Sequence, residues 1–476
     1  MHTSINIASK HGRLISAVIM FLCWLPIIIA NFPGSVPFDG MTQLLEHFGR
    51  IPHYGHHPVF ITRLYGFIVQ LGAAIHSENF GVFLVVVFQV IFCAIVFSGV
   101  CKYILDIGCP KWTYWVLTFF YGLFPVFGSY VSSVLKDTFY MASVTWFSLE
   151  LAKLVVGFRT NEQYILKTSS LIKLGASSLL MCLSRKEAKI LVALTMIYVT
   201  LVLIRHFGRN NKNIKPVLIV LVLVLIINGA FNFFVHNIMG VPKGEIAEAL
   251  SIPFQQTARY VSEYSDEVTD EEKAAIDLVL PYDKIAESYD PELSDPIKGK
   301  MKSGVSKREY LIYAKTWLSM GLKKPLVYIA ATWNNIYGYF DPFYKGRSVI
   351  QYDIDHSQTA RWNTEELDIY FVFEDSDYRV FVIDVLNKSR DIPVLSMLYN
   401  PGFYFWIITA LMIYCIVKRK TLESILLTVP VLTYLVCFAS PANGYGRYIL
   451  AVYATIWMSA LVIIKLESGA SNVKGL

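Results

Sequence analysis

Uninterrupted apolar segments constrain the fold of this chain more than any other feature of its sequence. Each is about 18 to 22 residues long, which is the length at which a helix crosses a ~30 Å hydrocarbon core. The segments run continuously and do not alternate, which excludes a transmembrane β-barrel. Only 16% of the 476 residues are charged, whereas a soluble protein carries about a quarter. The sequence therefore predicts an all-α polytopic membrane protein with about ten transmembrane helices, near residues 14–31, 80–101, 113–130, 138–155, 168–184, 187–205, 216–235, 401–417, 421–439 and 446–465.

A further apolar stretch at residues 58–75 contains Arg63, Gln70 and two glycines, so it could either span the membrane or lie along it. The positive-inside rule decides between the two. If this stretch does not cross, the basic clusters between the spans all lie on one side; if it does, the N-terminal cluster is separated from every later one. We therefore predict both termini in the cytoplasm of a cell-membrane protein, with 58–75 as a juxtamembrane helix on the outer face.

This topology divides the chain into three parts. Residues 1–235 form an N-terminal membrane module of seven spans with an outer loop at 32–79, residues 236–400 form a mostly helical extracytoplasmic domain, and residues 401–476 form a C-terminal module of three spans. None of the seven cysteines falls between 239 and 400, which excludes a disulfide or a cysteine metal site in the outer domain.

Local signals predict helices in the outer domain. Thr269, followed three residues later by Glu272, has the spacing of a capping box. The segment 306–340 indicates two amphipathic helices that are broken near Pro325. The stretches "IYFVFED" and "YRVFVIDVL" are the few that favour strands. The aromatic-rich stretch 333–344 fits either an interfacial aromatic belt or a surface that stacks on a sugar or prenyl chain.

Five short loops share the outer face in this topology, and each carries unusual charges. They are "FDGMTQ", "HYGHHP", "SSVLKDTFY", "LSRKEAK" and "SPANGYGRY". Charge near the membrane is costly and often functional, so these loops are candidates for one site. The cations that break the positive-inside trend there are Lys136, Arg185, Lys186, Lys189 and Arg447.

Each candidate also has an ordinary structural interpretation. Asp39 is either a catalytic base shielded at the membrane surface or the N-cap of a short helix over 40–49. Lys136 and Asp137 either snorkel at the interface or hold a phosphate and orient a hydroxyl. The four histidines at 47, 53, 56 and 57 lack the helical spacing of a metal motif. His57 either binds a phosphate or lies among lipid headgroups.

Taken in order, "PFDGMTQ", "HHPVF", "KDTFY" and "GYGRYILAVY" resemble the GT-C group of integral-membrane glycosyltransferases, in an uncharacterised bacterial branch. The resemblance implies that Asp39 is the catalytic base and Asp137 a second acid of the site. It implies that His57, Lys136, Arg185, Arg447 and Tyr448 bind the substrate. Val59 stands where the group has a second proline, and Gly40 follows Asp39 where a paired acid is usual, which favours a metal-independent reaction without a cofactor.

The resemblance implies an inverting transfer of a sugar from a polyprenyl-phosphate donor to an extracytoplasmic acceptor, which is a glycan, a lipid or a protein. The partners are then the donor, the acceptor and membrane lipids, and not nucleic acid. A glycolipid transporter or flippase and a non-catalytic envelope assembly factor are the alternatives. The absence of a repeat between the two halves disfavours a transporter.

Overall fold

Helices make up both membrane parts of the computed structural model. It describes residues 2–161, 165–244, 246–344, 352–439 and 442–473, with side chains described from residue 11 to residue 468. The N-terminal part contains α1 (His2–Ala30), α2 (Phe38–His47), α3 (Val59–Ala73), α4 (Glu78–Asp106), α5 (Lys111–Leu123), α6 (Pro125–Val131), α7 (Lys136–Thr160), α8 (Thr168–Ser184), α9 (Ala188–Phe207) and α10 (Ile214–Phe233).

The segment between the two membrane parts, which is predicted to be extracytoplasmic and is called the outer part below, is also helical, and the chain then returns to three apolar helices. The outer part contains α11 (Ser251–Tyr264), α12 (Asp270–Asp277), α13 (Tyr282–Ile285), α14 (Asp295–Lys298), α15 (Lys307–Lys323), α16 (Pro325–Asn334), α17 (Ser357–Trp362), α18 (Asp377–Lys388) and α19 (Pro393–Tyr399). The C-terminal part contains α20 (Pro401–Val417), α21 (Thr428–Phe438) and α22 (Leu450–Val473).

The described helices include six that are long and apolar enough to cross a membrane, and up to eight if each of two bent pairs is one span. The bends are 53° between α5 and α6 and 73° between α19 and α20. A proline opens the second helix of each pair, and proline cannot continue the hydrogen bonding of a preceding helix. Two further predicted spans coincide with shorter apolar helices, at Thr168–Ser184 and Glu423–Phe438. The chain is thus a multi-pass helical membrane protein, and α3 is a short apolar helix where a juxtamembrane helix was predicted.

In the outer part, the predicted helices form and the predicted strands do not. Thr269 and Glu272 form the predicted capping box, and α15 and α16 meet at Pro325 as predicted. The strand prediction is wrong: α18 includes all of "YRVFVIDVL", and no strand forms in "IYFVFED". Tertiary packing overrides the preference there, because α18 buries Val382 and Leu386 against the end of α1.

The Thr269 cap gives a direct test of the outer part. Thr269→Ala removes the hydroxyl that accepts from the Glu272 amide, so we expect the free energy of unfolding of this region to fall by about 1 kcal/mol. Hydrogen exchange of the α12 amides measures the loss. Thr269→Ser keeps the acceptor and serves as the control. Equal protection in the alanine and serine variants would contradict the prediction.

The aromatic stretch 333–344 packs largely on itself and on the membrane helices. The rings of Trp333 and Phe340 stack with centroids 5.7 Å apart, and Phe340 stacks on Phe438 of α21 at 4.8 Å. Trp406 of α20 donates its indole N–H to the Phe340 carbonyl at 2.8 Å. These contacts anchor the outer part to the membrane helices. The alternative interpretation, that the stretch stacks on a sugar or prenyl chain, stays a prediction.

A segment of the outer part also covers the loop that follows α1. Val36 pairs with Ile354 in an isolated parallel bridge, and the Ser35 hydroxyl donates to the Asp353 carbonyl at 2.8 Å. Leu367 and Ile369 pack in one buried cluster with residues of α2, α3 and α4. Residues more than 300 positions apart in the chain therefore fix the place of α2.

Candidate functional site

Backbone pairing brings the loop that follows α1 against the segment just before α7. The Ser35 amide donates to the Ser132 carbonyl at 3.0 Å, and the Val134 amide donates to the Ser35 carbonyl at 2.8 Å. Gly40 follows Asp39 because α2 passes close to this segment: a Cβ on Gly40 would lie 2.2 Å from the Val134 carbonyl oxygen. Only glycine permits that approach.

Four charged side chains meet where these segments touch. Asp39 Oδ2 accepts from Lys136 Nζ at 2.7 Å and from Arg447 Nη2 at 2.5 Å. Asp137 Oδ2 accepts from Arg447 Nε at 2.9 Å and from Nη2 at 2.6 Å. The side chains of Asp39, Lys136 and Arg447 are 13–17% exposed, and that of Asp137 is 2% exposed. Arg447, near the C-terminal end of the sequence, therefore joins two carboxylates of the N-terminal part, a buried one at Asp137 and a largely buried one at Asp39.

The outer part holds the loop that presents Arg447. Arg447 lies in a 3₁₀ turn, Gly446–Ile449, directly before α22. The Gly338 amide donates to Asn443 Oδ1 at 2.7 Å, and the Tyr339 hydroxyl donates to the Ala442 carbonyl at 3.0 Å. Of the loop "SPANGYGRY", Ser440 and Pro441 lie outside the described residues.

His57 completes the cluster on the side of α3. Lys136 Nζ lies 3.2 Å from His57 Nδ1. Because an ammonium can only donate, Nδ1 is the acceptor and the proton of the neutral ring is on Nε2. Nε2 is buried and has no hydrogen-bond partner in the described part of the chain, and the same is true of Asp137 Oδ1. One donor and one acceptor of this cluster are thus available to a bound molecule.

Arg185 and Tyr448 lie beside the same cluster. The Arg185 guanidinium lies between two rings, 5.2 Å from the Tyr140 centroid and 5.7 Å from the Tyr448 centroid, and Nε pairs with Glu187 at 2.9 Å. Tyr448 directly follows Arg447 in the chain. The structure therefore brings together all seven predicted site residues. The alternative that Asp39 is an N-cap is wrong, since α2 is capped at Pro37 and starts before Asp39.

Electrostatics keep Asp39 charged and His57 neutral. Burial by itself raises the pKa of Asp39, but Arg447 and Lys136 outweigh it and hold that pKa well below its ordinary value. Burial, and next the positive charge of Lys136, hold the pKa of His57 well below its ordinary value. The Asp39 carboxylate accepts hydrogen bonds, and the His57 ring adds no positive charge.

The neutral His57 makes stability depend on pH. The unfolded chain binds a proton at an ordinary histidine near pH 6.5, whereas the folded chain resists it, so stability falls as the pH drops below about 6.5. We expect the melting temperature of His57→Gln to fall less than that of the wild type between about pH 7 and 5. Scanning fluorimetry across this range measures it, with His76→Gln on an exposed turn as the control. Parallel pH curves for wild type and His57→Gln would contradict the prediction.

A cavity of about 480 Å³ adjoins the cluster through His57. Lys186, Lys189 and Lys243 line its polar side, and Val59, Leu183 and Phe231 belong to its apolar side. Lys186 Nζ also donates to the Gly55 carbonyl, which ties the "LSRKEAK" turn to the histidine loop. No carboxylate is among the residues that line the cavity in the described part of the chain. The cavity is thus amphipathic and cationic.

Sequence reasoning missed one side of this cavity. Asn228, Asn232 and His236 line it from α10 and the π-helical turn that follows, and Asn232 Nδ2 donates to Asn228 Oδ1 at 3.0 Å. The signal was available: these three polar residues recur every four positions in an otherwise apolar segment, which places them near one face of a helix. No group of three or more His, Cys, Asp or Glu side chains suited to a metal ion occurs among the residues described.

Together, the fold and this cluster define a class: a multi-pass helical membrane protein in which loops from both membrane parts meet in one buried, charged site at one end of the bundle. The chain belongs to DUF6020, a family of unknown function, whose sequence pattern matches residues 54–474. No curated protein matches the chain, and no solved structure does. The match includes every predicted site residue except Asp39, which precedes it.

Proposed function

We propose that this protein is a membrane glycosyltransferase that moves a sugar from a polyprenyl-phosphate donor to an acceptor hydroxyl on the extracytoplasmic face. The observation that carries the proposal is that Lys136 and Arg447 both donate hydrogen bonds to Asp39 beside a cationic, amphipathic cavity. A base next to phosphate-binding cations is what transfer from a phosphate leaving group requires.

Charge balance supports an anionic substrate. Within the cluster, Asp39 and Asp137 offset Lys136 and Arg447, and Glu187 offsets Arg185. Among the described residues, three lysines and no carboxylate line the adjoining cavity, and the acids that act on Lys186, which are Glu187, Glu248 and Glu46, lie outside the lining. A phosphate placed beside His57 would gain the attraction of those lysines and would draw Lys136 and Arg447 away from Asp39. Losing these partners raises the basicity of Asp39 once the donor is bound.

The shape and lining of the cavity support a lipid donor. Its volume of about 480 Å³ lies within the ordinary range of ligand pockets. Phe231 and Val235 lie beyond the lysines on its apolar side, and the adjacent helix α10 exposes Leu223, Ile226 and Ile227. A prenyl chain could therefore follow α10 into the membrane while its phosphate stays beside the lysines.

The proposed step transfers one proton and exchanges one bond. Asp39 takes the proton of the acceptor hydroxyl as its oxygen bonds to the anomeric carbon of the sugar. The bond between that carbon and the phosphate oxygen breaks, and the polyprenyl phosphate leaves with the electron pair. Attack from the face opposite the phosphate inverts the anomeric centre. Lys136 and Arg447, with the Nε2–H of His57, stabilise the charge that grows on the phosphate.

Incubating the purified protein with radiolabelled polyprenyl-phosphate sugars tests the proposal. We expect loss of sugar from the donor, and we expect Lys189→Gln to raise the KM for the donor about tenfold or more, because a hydrogen bond to a charged group is lost. Lys212→Gln, an exposed cation outside the cavity, is the control. If no donor sugar is transferred or hydrolysed under any condition, the enzyme proposal fails.

The same experiment separates the two alternatives. A flippase would move the labelled lipid between leaflets of a vesicle without cleaving it, and an assembly factor would bind it without either result. The cluster lies at the end of the spans, at Asp39 in α2 and Lys136 at the start of α7, and not halfway along them as in many transporters. This placement favours chemistry at the membrane surface over transport.

A further inference from the structure

A second groove lies at the other end of the helical bundle, far from the candidate site. α7 runs from Lys136 in the candidate site to Glu150 and Lys153 in this groove. The 14 residues from Lys136 to Glu150 correspond to about 21 Å of helix. Residues of α1, α4, α7 and α8 line the groove, whose volume is about 320 Å³.

The groove carries more positive than negative charge. Arg13, Lys102, Lys153 and Lys173 line it, together with Asp106 and Glu150. Lys153 pairs with Glu150 at 2.7 Å, and Lys102 pairs with Asp106. In the described part of the chain, these pairs use both carboxylates, which leaves the charges of Arg13 and Lys173 without an ion-pair partner.

Arg13 lines the groove and is held there by one hydrogen bond. Its Nη2 donates to the Ile95 carbonyl of α4 at 3.2 Å, which anchors the guanidinium on that helix. A guanidinium has five N–H donors, so others remain for a ligand. The guanidinium lies over Gly99, where a Cβ would be 3.7 Å from Nη2. Gly99 itself lines the groove, so a large side chain at this position would occupy it.

Apolar side chains continue from the cations along the helices. Phe92, Val96, Trp146 and Leu149 line the same groove. A ligand that satisfies both parts has an anionic phosphodiester and hydrocarbon chains. Basic pockets between transmembrane helices at the membrane surface bind anionic lipid headgroups for this reason.

We propose that this groove binds an anionic phospholipid, with the phosphodiester held by Arg13 and Lys173 and an acyl chain against Phe92 and Leu149. The site is independent of the proposed transferase function, because its charged residues on α7 lie about 21 Å or more along that helix from Lys136. It takes a structural lipid of the membrane and not the sugar donor.

Native mass spectrometry of the full-length protein with phosphatidylglycerol tests the proposal. We expect the Arg13→Gln/Lys173→Gln double variant to bind this lipid about thirtyfold more weakly, since each cation near the surface contributes about 1 kcal/mol. We expect Gly99→Leu, which fills the groove without changing its charge, to lose the bound lipid as well. Lys111→Gln/Lys212→Gln removes two exposed cations outside the groove and should bind like the wild type.

Two results would overturn the proposal. One is equal binding of phosphatidylglycerol to the wild type, the charge variant and the Gly99→Leu variant. The other is protection against thermal unfolding by inorganic phosphate equal to that by phosphatidylglycerol, which would indicate a site for simple anions. Stronger protection by phosphatidylglycerol than by phosphatidylcholine or phosphate, lost in both groove variants, supports it.

Discussion

Replacing Arg447 with alanine is expected to cause the largest loss of both activity and stability of any single change in this protein. Arg447 bonds Asp39 and Asp137 at once, and the Asp137 side chain is 2% exposed. Without the guanidinium, the two neighbouring carboxylates keep Lys136 and the more distant Arg185 as cationic neighbours, and Asp137 loses both of its hydrogen bonds from Arg447. Breaking a buried ion pair in this way costs about 3–5 kcal/mol.

Two companion variants separate the structural effect from the chemical one. Arg447→Lys keeps the charge but cannot reproduce the fork that joins two carboxylates, so we expect an intermediate loss of stability. Adding Asp137→Asn to Arg447→Ala removes the unpaired acid, and we expect it to restore part of the stability but none of the sugar transfer. Thermal unfolding in detergent and donor turnover measure the two effects, with Arg209→Ala, an exposed residue, as the control. Wild-type stability in Arg447→Ala would show that the two carboxylates do not depend on this guanidinium.

Asp39→Asn is expected to lower sugar transfer by about 10²–10⁴-fold, the usual contribution of a positioned base. The fold should change little, because Arg447 keeps its two bonds to Asp137 and the amide oxygen can still accept from Lys136. Asp106→Asn, at the far end of the bundle, is the control. Full activity in a folded Asp39→Asn protein would remove the base assignment.

The pH profile of the wild type provides a second measurement of Asp39. Because Arg447 and Lys136 outweigh burial and hold its pKa well below the ordinary value, the carboxylate stays ionised as the pH falls through about 4. The activity that depends on it is present above that pKa and lost below it. We therefore expect kcat/KM to show no acid limb from Asp39 between about pH 7 and 5. An acid limb in this range that Asp39→Asn abolishes would contradict the low pKa.

Much of the fold follows from local patterns of the sequence. A segment in lipid must satisfy its own backbone hydrogen bonds, so a long apolar run becomes a helix wherever it lies in the fold. The Thr269 capping box is equally local and forms as predicted. The strand signals at 378–386 failed because that segment contacts α1, and its sequence does not show this partner.

The site was predictable as a set of residues but not as an arrangement. Charges at the ends of apolar spans are costly, so Asp39, Lys136 and Arg447 could be chosen without a structure. The contact of Arg447 with both Asp39 and Asp137 could not be predicted from the sequence. Positions 39 and 447 are 408 residues apart, and no local rule pairs them. The cavity beside His57 was not predicted, because its asparagines are spread along α10 among apolar residues. That apolar sequence indicates only a transmembrane helix.

By itself, the sequence determined that the chain is helical and apolar enough to cross a membrane several times, and which charged loops stand out, because hydrophobic length and local hydrogen bonding act within one segment. Only the tertiary structure decided which charges neutralise one another, which cations stay uncompensated and where cavities open beside them. Those outcomes depend on distances between side chains of different helices, and such distances arise only when the helices pack.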